Sequence, residues 1–204
     1  MLVKKISKAL ADYLPQNTEA IVNQWLDKPY VELKIAKNRS SKLGDYRPLD
    51  RGTRHLISVN GSLNKYSFLL TLVHEIAHMH NFIRRRGSVK PHGEEWKEEF
   101  RFLMSSFEMD AVFPEDLVSS LQNYLKNPKA SSSSDLQLSL ALRNYDLADD
   151  RLVVLSDLKL NSPFSTRNGR KFIKGPKQRK RYKCKEIGSG RLYLFNPISE
   201  VLPL

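Results

Sequence analysis

Residues 65–85 read KYSFLLTLVHEIAHMHNFIRR, and at their centre stands His74-Glu75-Ile76-Ala77-His78. The run is long and apolar at helical spacing, so it predicts a buried helix. On a helix, positions i and i+4 share a face, so His74 and His78 can reach one metal ion together. Glu75 projects to one side, where it can take a proton from a water that the metal has acidified. Two imidazoles and a carboxylate at this spacing are the zinc-hydrolase arrangement. The alternative is a core helix whose histidines are satisfied by neighbours. The apolar residues around the motif (Leu69, Leu70, Leu72, Val73, Ile76 and Ala77) make a rigid platform for either role.

A catalytic ion needs a third protein ligand and one open position. Some zinc hydrolases continue the motif with a glycine three residues on and a histidine six residues on. Here those places hold Asn81 and Arg84, which excludes that class. Others take a Glu from a following helix. The next helical stretch opens Pro91-His92-Gly93-Glu94-Glu95-Trp96, with a short basic turn, Arg84-Arg85-Arg86-Gly87, before it. His92 is the preferred third ligand, and Glu95, one turn into that helix, is the runner-up. His80 faces away from His78. It is expected at the surface or beside the ligands, and His55 on a strand is expected to be structural.

Around this centre the pattern is mixed. Residues 3–14 and 17–26 read as helices parted by Pro15, with Asn17 as a candidate N-cap. Residues 31–37 and 54–59 read as strands, and 38–53, polar with Gly and Pro, as a loop. Residues 93–108 and 115–126 complete a helical set, the former with Trp96, Phe100, Leu103 and Met104 on one face. Residues 127–135, NPKASSSSD, have linker composition. Short β-like runs follow at 151–155, 171–173, 180–184 and 191–195. The expected organisation is a domain over residues 1–127, a linker over 128–135, and a basic β-rich module over 136–204.

These residues carry a resemblance. Thr71 to His78 followed by His92-Gly93-Glu94-Glu95-Trp96 resembles the SprT-like metalloproteases, which include bacterial SprT and the DNA–protein crosslink protease Spartan. Arg39 to Arg47 and Ile57 to Asn60 also look like the region that precedes the active-site helix in that family. The resemblance covers about residues 15–125. It implies an α+β, zincin-like fold and one catalytic Zn²⁺ held by His74, His78 and His92, with Glu75 as general base. It further implies a small sheet whose edge pairs with an extended substrate, and residues 54–60 are the expected edge. Many relatives carry a C-terminal zinc ribbon built from two cysteine pairs. This chain has only Cys184, so the module is expected to keep a ribbon-like β frame without its metal, and Cys184 to be a small buried hydrophobe.

The 204 residues carry 34 Lys and Arg against 22 Asp and Glu, a net charge of +12. Ten basic residues and no acidic one fall between Arg167 and Lys185. The expected nucleic-acid contacts are Arg167, Arg170, Lys171, Lys174, Lys177, Arg179, Lys180, Arg181, Lys183 and Lys185, with Phe172 and Tyr182 able to stack on unpaired bases. The other reading of this segment is a solvated basic face. No run of about 18 apolar residues exists, and charges interrupt the N-terminal helix, so neither a membrane span nor a secretory signal is expected. The expectation is a cytoplasmic monomer, associated with the nucleoid if bacterial. Its function would be a zinc endopeptidase acting on proteins bound or crosslinked to single-stranded or junction DNA. The alternatives are a non-catalytic DNA-binding adaptor and a cytoplasmic zinc peptidase with no nucleic-acid role.

Overall fold

The computed structural model describes residues 10–37, 42–85, 90–129, 135–146 and 151–204. Two compact units divide at Asp146 and Leu147.

The first unit is α+β. A helix α1 (Glu19–Leu26) leads into a three-stranded sheet of β1 (Val31–Ala36), β2 (Gly44–Leu49) and β3 (Arg54–Asn60), in the order β1-β3-β2. β3 runs parallel to β1 and antiparallel to β2, with Gly44 opposite Val59 and Leu49 opposite Arg54. Two expectations are corrected here. Residues 38–53, expected as a loop, contain β2. Asp45, Arg47 and Pro48 disguise it, and all three suit an edge strand, where charge blunts the edge and proline needs no ladder partner on its outer side. β3, expected as the edge, is the central strand, paired along both sides, so β1 and β2 are the edges. Asn17, expected as N-cap of α1, sits in a left-handed turn (φ 65°), and Thr18 holds the cap position, its hydroxyl donating to the Pro15 carbonyl at 2.7 Å.

A helix α2 (Lys65–Arg85) runs through the core, and Phe68 to Val73, Glu75 to Ala77, Met79 and Asn81 are buried along it. A helix apolar on most of its circumference has to be enclosed. β2 and β3 pack against it, as does α3 (Glu94–Met104). A short α4 (Met109–Val112) and α5 (Glu115–Lys126) follow, the latter burying Leu117, Val118, Leu121 and Tyr124.

A further helix, α6 (Leu136–Arg143), is capped by Asp135, whose carboxylate accepts from Leu138 N. It buries Leu138 and Leu142 in the same core. Asn64 donates to the Leu142 carbonyl at 2.9 Å and fastens α6 to the start of α2. Residues 136–146, expected in the C-terminal module, fall in the first unit, because α6 has an apolar face that this core covers. Most of the expected linker, residues 130–134, and residues 3–9 of the expected N-terminal helix lie outside the described residues.

The second unit is a small antiparallel sheet. Its strands are β4 (Val153–Val154), β5 (Pro163–Ser165), β6 (Lys171–Ile173), β7 (Lys177–Gln178), β8 (Arg181–Glu186), β9 (Leu192–Phe195) and β10 (Glu200–Pro203). The order is β4-β10-β5-β6-β8-β7, with β9 also on β8. Leu155, Phe164, Phe172, Cys184 and Val201 form its core, and Phe164 stacks on Phe172 with centroids 5.6 Å apart. Between β6 and β7 the chain presses onto β8 so closely that a Cβ at Gly175 would stand 1.9 Å from the Lys183 carbonyl oxygen. Only glycine fits there. No helix among the described residues is long and apolar enough to cross a membrane.

Candidate metal centre

His74 and His78 stand one turn apart on α2 and turn the same way. His92 comes from the turn that opens α3. The three Nε2 atoms form a triangle with sides of 3.1 Å (His74–His92), 3.1 Å (His74–His78) and 3.0 Å (His78–His92). A ring nitrogen either carries a proton or offers a lone pair. Three Nε2 atoms therefore satisfy at most two of three mutual contacts by hydrogen bonding, and at least one pair remains like against like. A cation at the centre satisfies all three. Metal–nitrogen bonds of about 2.05 Å in a tetrahedron place nitrogens about 3.3 Å apart, close to the observed sides. The residues fit a metal ion, and Glu95, the runner-up ligand, lies outside this cluster.

Burial depresses all three imidazoles. His74 falls to about 2, through desolvation and then the charges of His78 and His92. His78 falls to about 4, through desolvation and then His92. His92 is lowered by desolvation. The rings are thus held neutral, which is the form that ligates a metal.

His92 is placed by an unusual backbone. Its φ is 59°, the left-handed region that costs a residue with a Cβ about 1–2 kcal/mol. A turn closed by Gly93 N donating to the Lys90 carbonyl at 3.0 Å holds it there. Trp96, three residues beyond Gly93, is 1% exposed and packs against the whole triad. Its ring centroid lies 4.5 Å from that of His74, 5.5 Å from His78 and 4.9 Å from His92, and its indole N–H points at the His74 carbonyl, 3.4 Å away. Phe100 stacks beneath Trp96 at 5.2 Å. α3 and the turn that opens it therefore supply both the third imidazole and the aromatic floor under all three.

A second contact locks α3 to α2. Glu99, 4% exposed, accepts from His80 Nδ1 at 2.7 Å and from the Arg84 guanidinium. Burial pushes the Glu99 carboxyl up, but His80 and Arg84 more than offset this and hold it below the usual glutamate range. His55 is buried on β3 with Nδ1 3.0 Å from the Tyr46 hydroxyl. Glu75 is also buried, on the side of α2 that faces β2.

A model of the SprT-like family matches residues 11–114, just over half of the chain. The chain belongs to the SprT-like family. Searches of curated proteins and of solved structures returned no match. With the histidine cluster, membership indicates a metalloprotease-like function. The SprT-like match ends before α5 and α6, although both contribute to the same core.

The basic segment lies wholly in the second unit, outside the SprT-like match, and the structure divides it. Phe172, expected to stack on bases, is 1% exposed in the core, because β6 turns it inward between exposed Lys171 and Ile173. Lys174 is buried too. Its ammonium donates to the carbonyls of Ser156 (3.0 Å) and Leu158 (2.6 Å) and sits 4.1 Å over the Tyr182 ring. Arg170 pairs with Glu186 at 2.8 Å and lies over Phe172 and Tyr193, and Arg167 pairs with Glu200 at 2.6 Å. Phe172 and Lys174 are thus removed from any binding surface, and Tyr182 is half-buried under Lys174. Lys171, Lys177, Arg179, Lys180, Arg181 and Lys185 are exposed, and Lys183 is partly so. Cys184 is buried and free, and burial pushes its thiol up.

The contribution of Trp96 exceeds what the sequence suggests, where it is one apolar residue on a helix face and one letter of the motif that carries the family resemblance. Glu99 was not singled out at all, and its signal was a charge on the buried side of α3, at the i+3 position from Trp96.

Proposed function

We propose that this protein is a zinc-dependent endopeptidase of the cytoplasm whose substrates are proteins bound or crosslinked to DNA. The observation that carries the peptidase reading is the triangle of three neutral imidazoles at one point, with the buried Glu75 next to His74 in the chain. Imidazole donors suit zinc among other first-row ions, and three protein ligands leave a position open to water. When bound, the ion supplies Lewis acidity, lowering the pKa of water and polarising a carbonyl.

The chain's own residues do the rest. Glu75 accepts the proton of the attacking water at its carboxylate and delivers it to the leaving amine. The open edge of β2, the strand that lies against Glu75, offers backbone N–H and C=O groups to an extended peptide. Presence of the carboxylate beside His74 favours an enzyme over an inactive adaptor, which would have no use for a proton acceptor there. The nucleic-acid part of the reading is supported by the exposed Lys171, Lys177, Arg179, Lys180, Arg181 and Lys185, with Lys183 beside them, whose charges would neutralise phosphates.

The test is cleavage of a DNA-binding protein by the zinc-loaded chain, with and without single-stranded DNA. Cleavage abolished by a chelator, restored by zinc and stimulated by DNA is expected. Glu75→Gln should retain the metal and lose cleavage. Cleavage that survives the chelator or Glu75→Gln would overturn the peptidase mechanism, and cleavage indifferent to DNA would remove the nucleic-acid role.

A further inference from the structure

Gly44 opens β2, and its backbone does not need to be glycine. Its φ is not in the left-handed region, unlike those of Gly52, Gly169, Gly188 and Gly190. Glycine in a strand is otherwise a cost, since it loses more conformational freedom on folding than any other residue. The reason for it lies across the gap to α2. A Cβ on residue 44 would stand 2.6 Å from Glu75 Oε1, 2.9 Å from Glu75 Cγ and 2.6 Å from Thr71 Cγ2. All three separations are shorter than folded chains tolerate. The bare Cα of Gly44 therefore leaves the volume in which the Glu75 carboxylate stands.

The two obstacles differ in how easily they yield. Thr71 is β-branched, and its hydroxyl is anchored on the Ser67 carbonyl at 2.7 Å, so its methyl is held close to the helix backbone. Oε1 is the far end of a side chain with several rotatable bonds. Added bulk at position 44 would displace the carboxylate before it displaced the helix.

We infer that Gly44 is a positioning residue for the reaction, reserving the space in which the Glu75 carboxylate is held against β2. This rests on the peptidase reading for its effect on rate, but the placement itself does not. A displacement of about 1 Å at a reacting group costs up to about 100-fold in rate. Gly44→Ala should therefore lower kcat about 10- to 100-fold, with KM within about twofold, while zinc stoichiometry and the visible spectrum of the cobalt-substituted protein stay as in the parent.

The readout independent of activity is a crystal structure of zinc-loaded Gly44→Ala, in which the Glu75 carboxylate should have left its parental position. The companion variant Gly44→Ala/Thr71→Ser removes the rigid methyl contact and keeps the hydroxyl bond to Ser67. It serves if the single variant does not fold, and it should show the same loss of kcat. Recovery of kcat in the double variant would assign the effect to crowding of strand against helix, and would overturn the inference. An unmoved Glu75 in the crystal structure would overturn it as well. If the parent protein cleaves nothing, the peptidase reading fails while the crystallographic comparison still decides the role of Gly44.

Discussion

Glu99 on α3 accepts a hydrogen bond from His80 Nδ1 at 2.7 Å, two residues beyond the second ligand of the triad. A nearly fully buried carboxylate thus joins the helix that carries two ligands to the helix that follows the third. Glu99→Ala should destabilise the first unit by about 1–2 kcal/mol near neutral pH, in the range of hydrogen bonds to charged groups and reduced because Arg84 is largely exposed. The sign with pH follows from the lowered carboxyl. The contribution is complete above the unfolded glutamate value of about 4.3 and is lost as pH falls through the folded value. Thermal denaturation of both proteins should therefore show a gap in Tm that closes as the pH is taken down through that range.

His92 is both a member of the histidine cluster and strained backbone, and the two roles separate by substitution. His92→Ala and His92→Gly should both lose zinc by more than the roughly 10- to 100-fold that a partner outside the ligand set is worth. Between the metal-free variants, glycine should be the more stable by about 1 kcal/mol, because it enters the left-handed region without penalty. Zinc titration with urea denaturation of each metal-free variant checks both. Equal stability of the two would refute the assigned backbone strain.

Trp96→Phe keeps an aromatic floor but removes the indole N–H aimed at the His74 carbonyl and part of the surface under the rings. Zinc affinity should fall about tenfold, as for other groups that orient ligands. Trp96→Ala should cost about 3–5 kcal/mol of stability, the range for emptying a buried aromatic site. Competition with a chromophoric chelator and calorimetry measure these. Undiminished affinity in both variants would mean that the ligands are oriented from elsewhere.

The two kinds of lysine in the second unit should respond oppositely. Lys174→Ala strips two part-buried carbonyls of their donor and should destabilise that unit by about 1–3 kcal/mol. Lys180→Ala should leave stability within about 0.5 kcal/mol. On single-stranded DNA, Lys180→Ala should weaken binding and lower the slope of log affinity against log salt by about 0.7 if it contacts a phosphate. Fluorescence anisotropy across a salt series gives the slope. An unchanged slope after replacement of Lys180, Arg181 and Lys185 together would remove this face from the binding site.

Much of the first unit is legible in its sequence because α2 and α5 carry long apolar periods and clear boundaries, Pro114 among them. The histidine cluster was equally legible, since His74 and His78 lie one helical turn apart and His92 opens a second helical stretch. β2 was not. Its Gly44, Asp45, Arg47 and Pro48 are loop residues by composition, and only pairing with β3 makes them a strand. Gly44 shows the limit most clearly, because a letter for glycine says nothing of what occupies the space beside it. β5, β7 and β10 are two to four residues long, too short for an alternation to register. In the basic segment, Lys171 and Lys174 look alike as letters. The ring of Tyr182 and two carbonyls at the right distance bury one and leave the other in water.

The fastening of Asn64 to the Leu142 carbonyl bears on where this chain can be cut. A fragment ending at residue 127, where composition suggests a boundary, would strip α6 from the core and bare the apolar surface that Leu138 and Leu142 cover. One ending at residue 146 would keep both. For expression of the first unit alone, the terminus lies after the last helix that shares its oil, eleven residues beyond Asp135, where the polar stretch that looks like the seam ends.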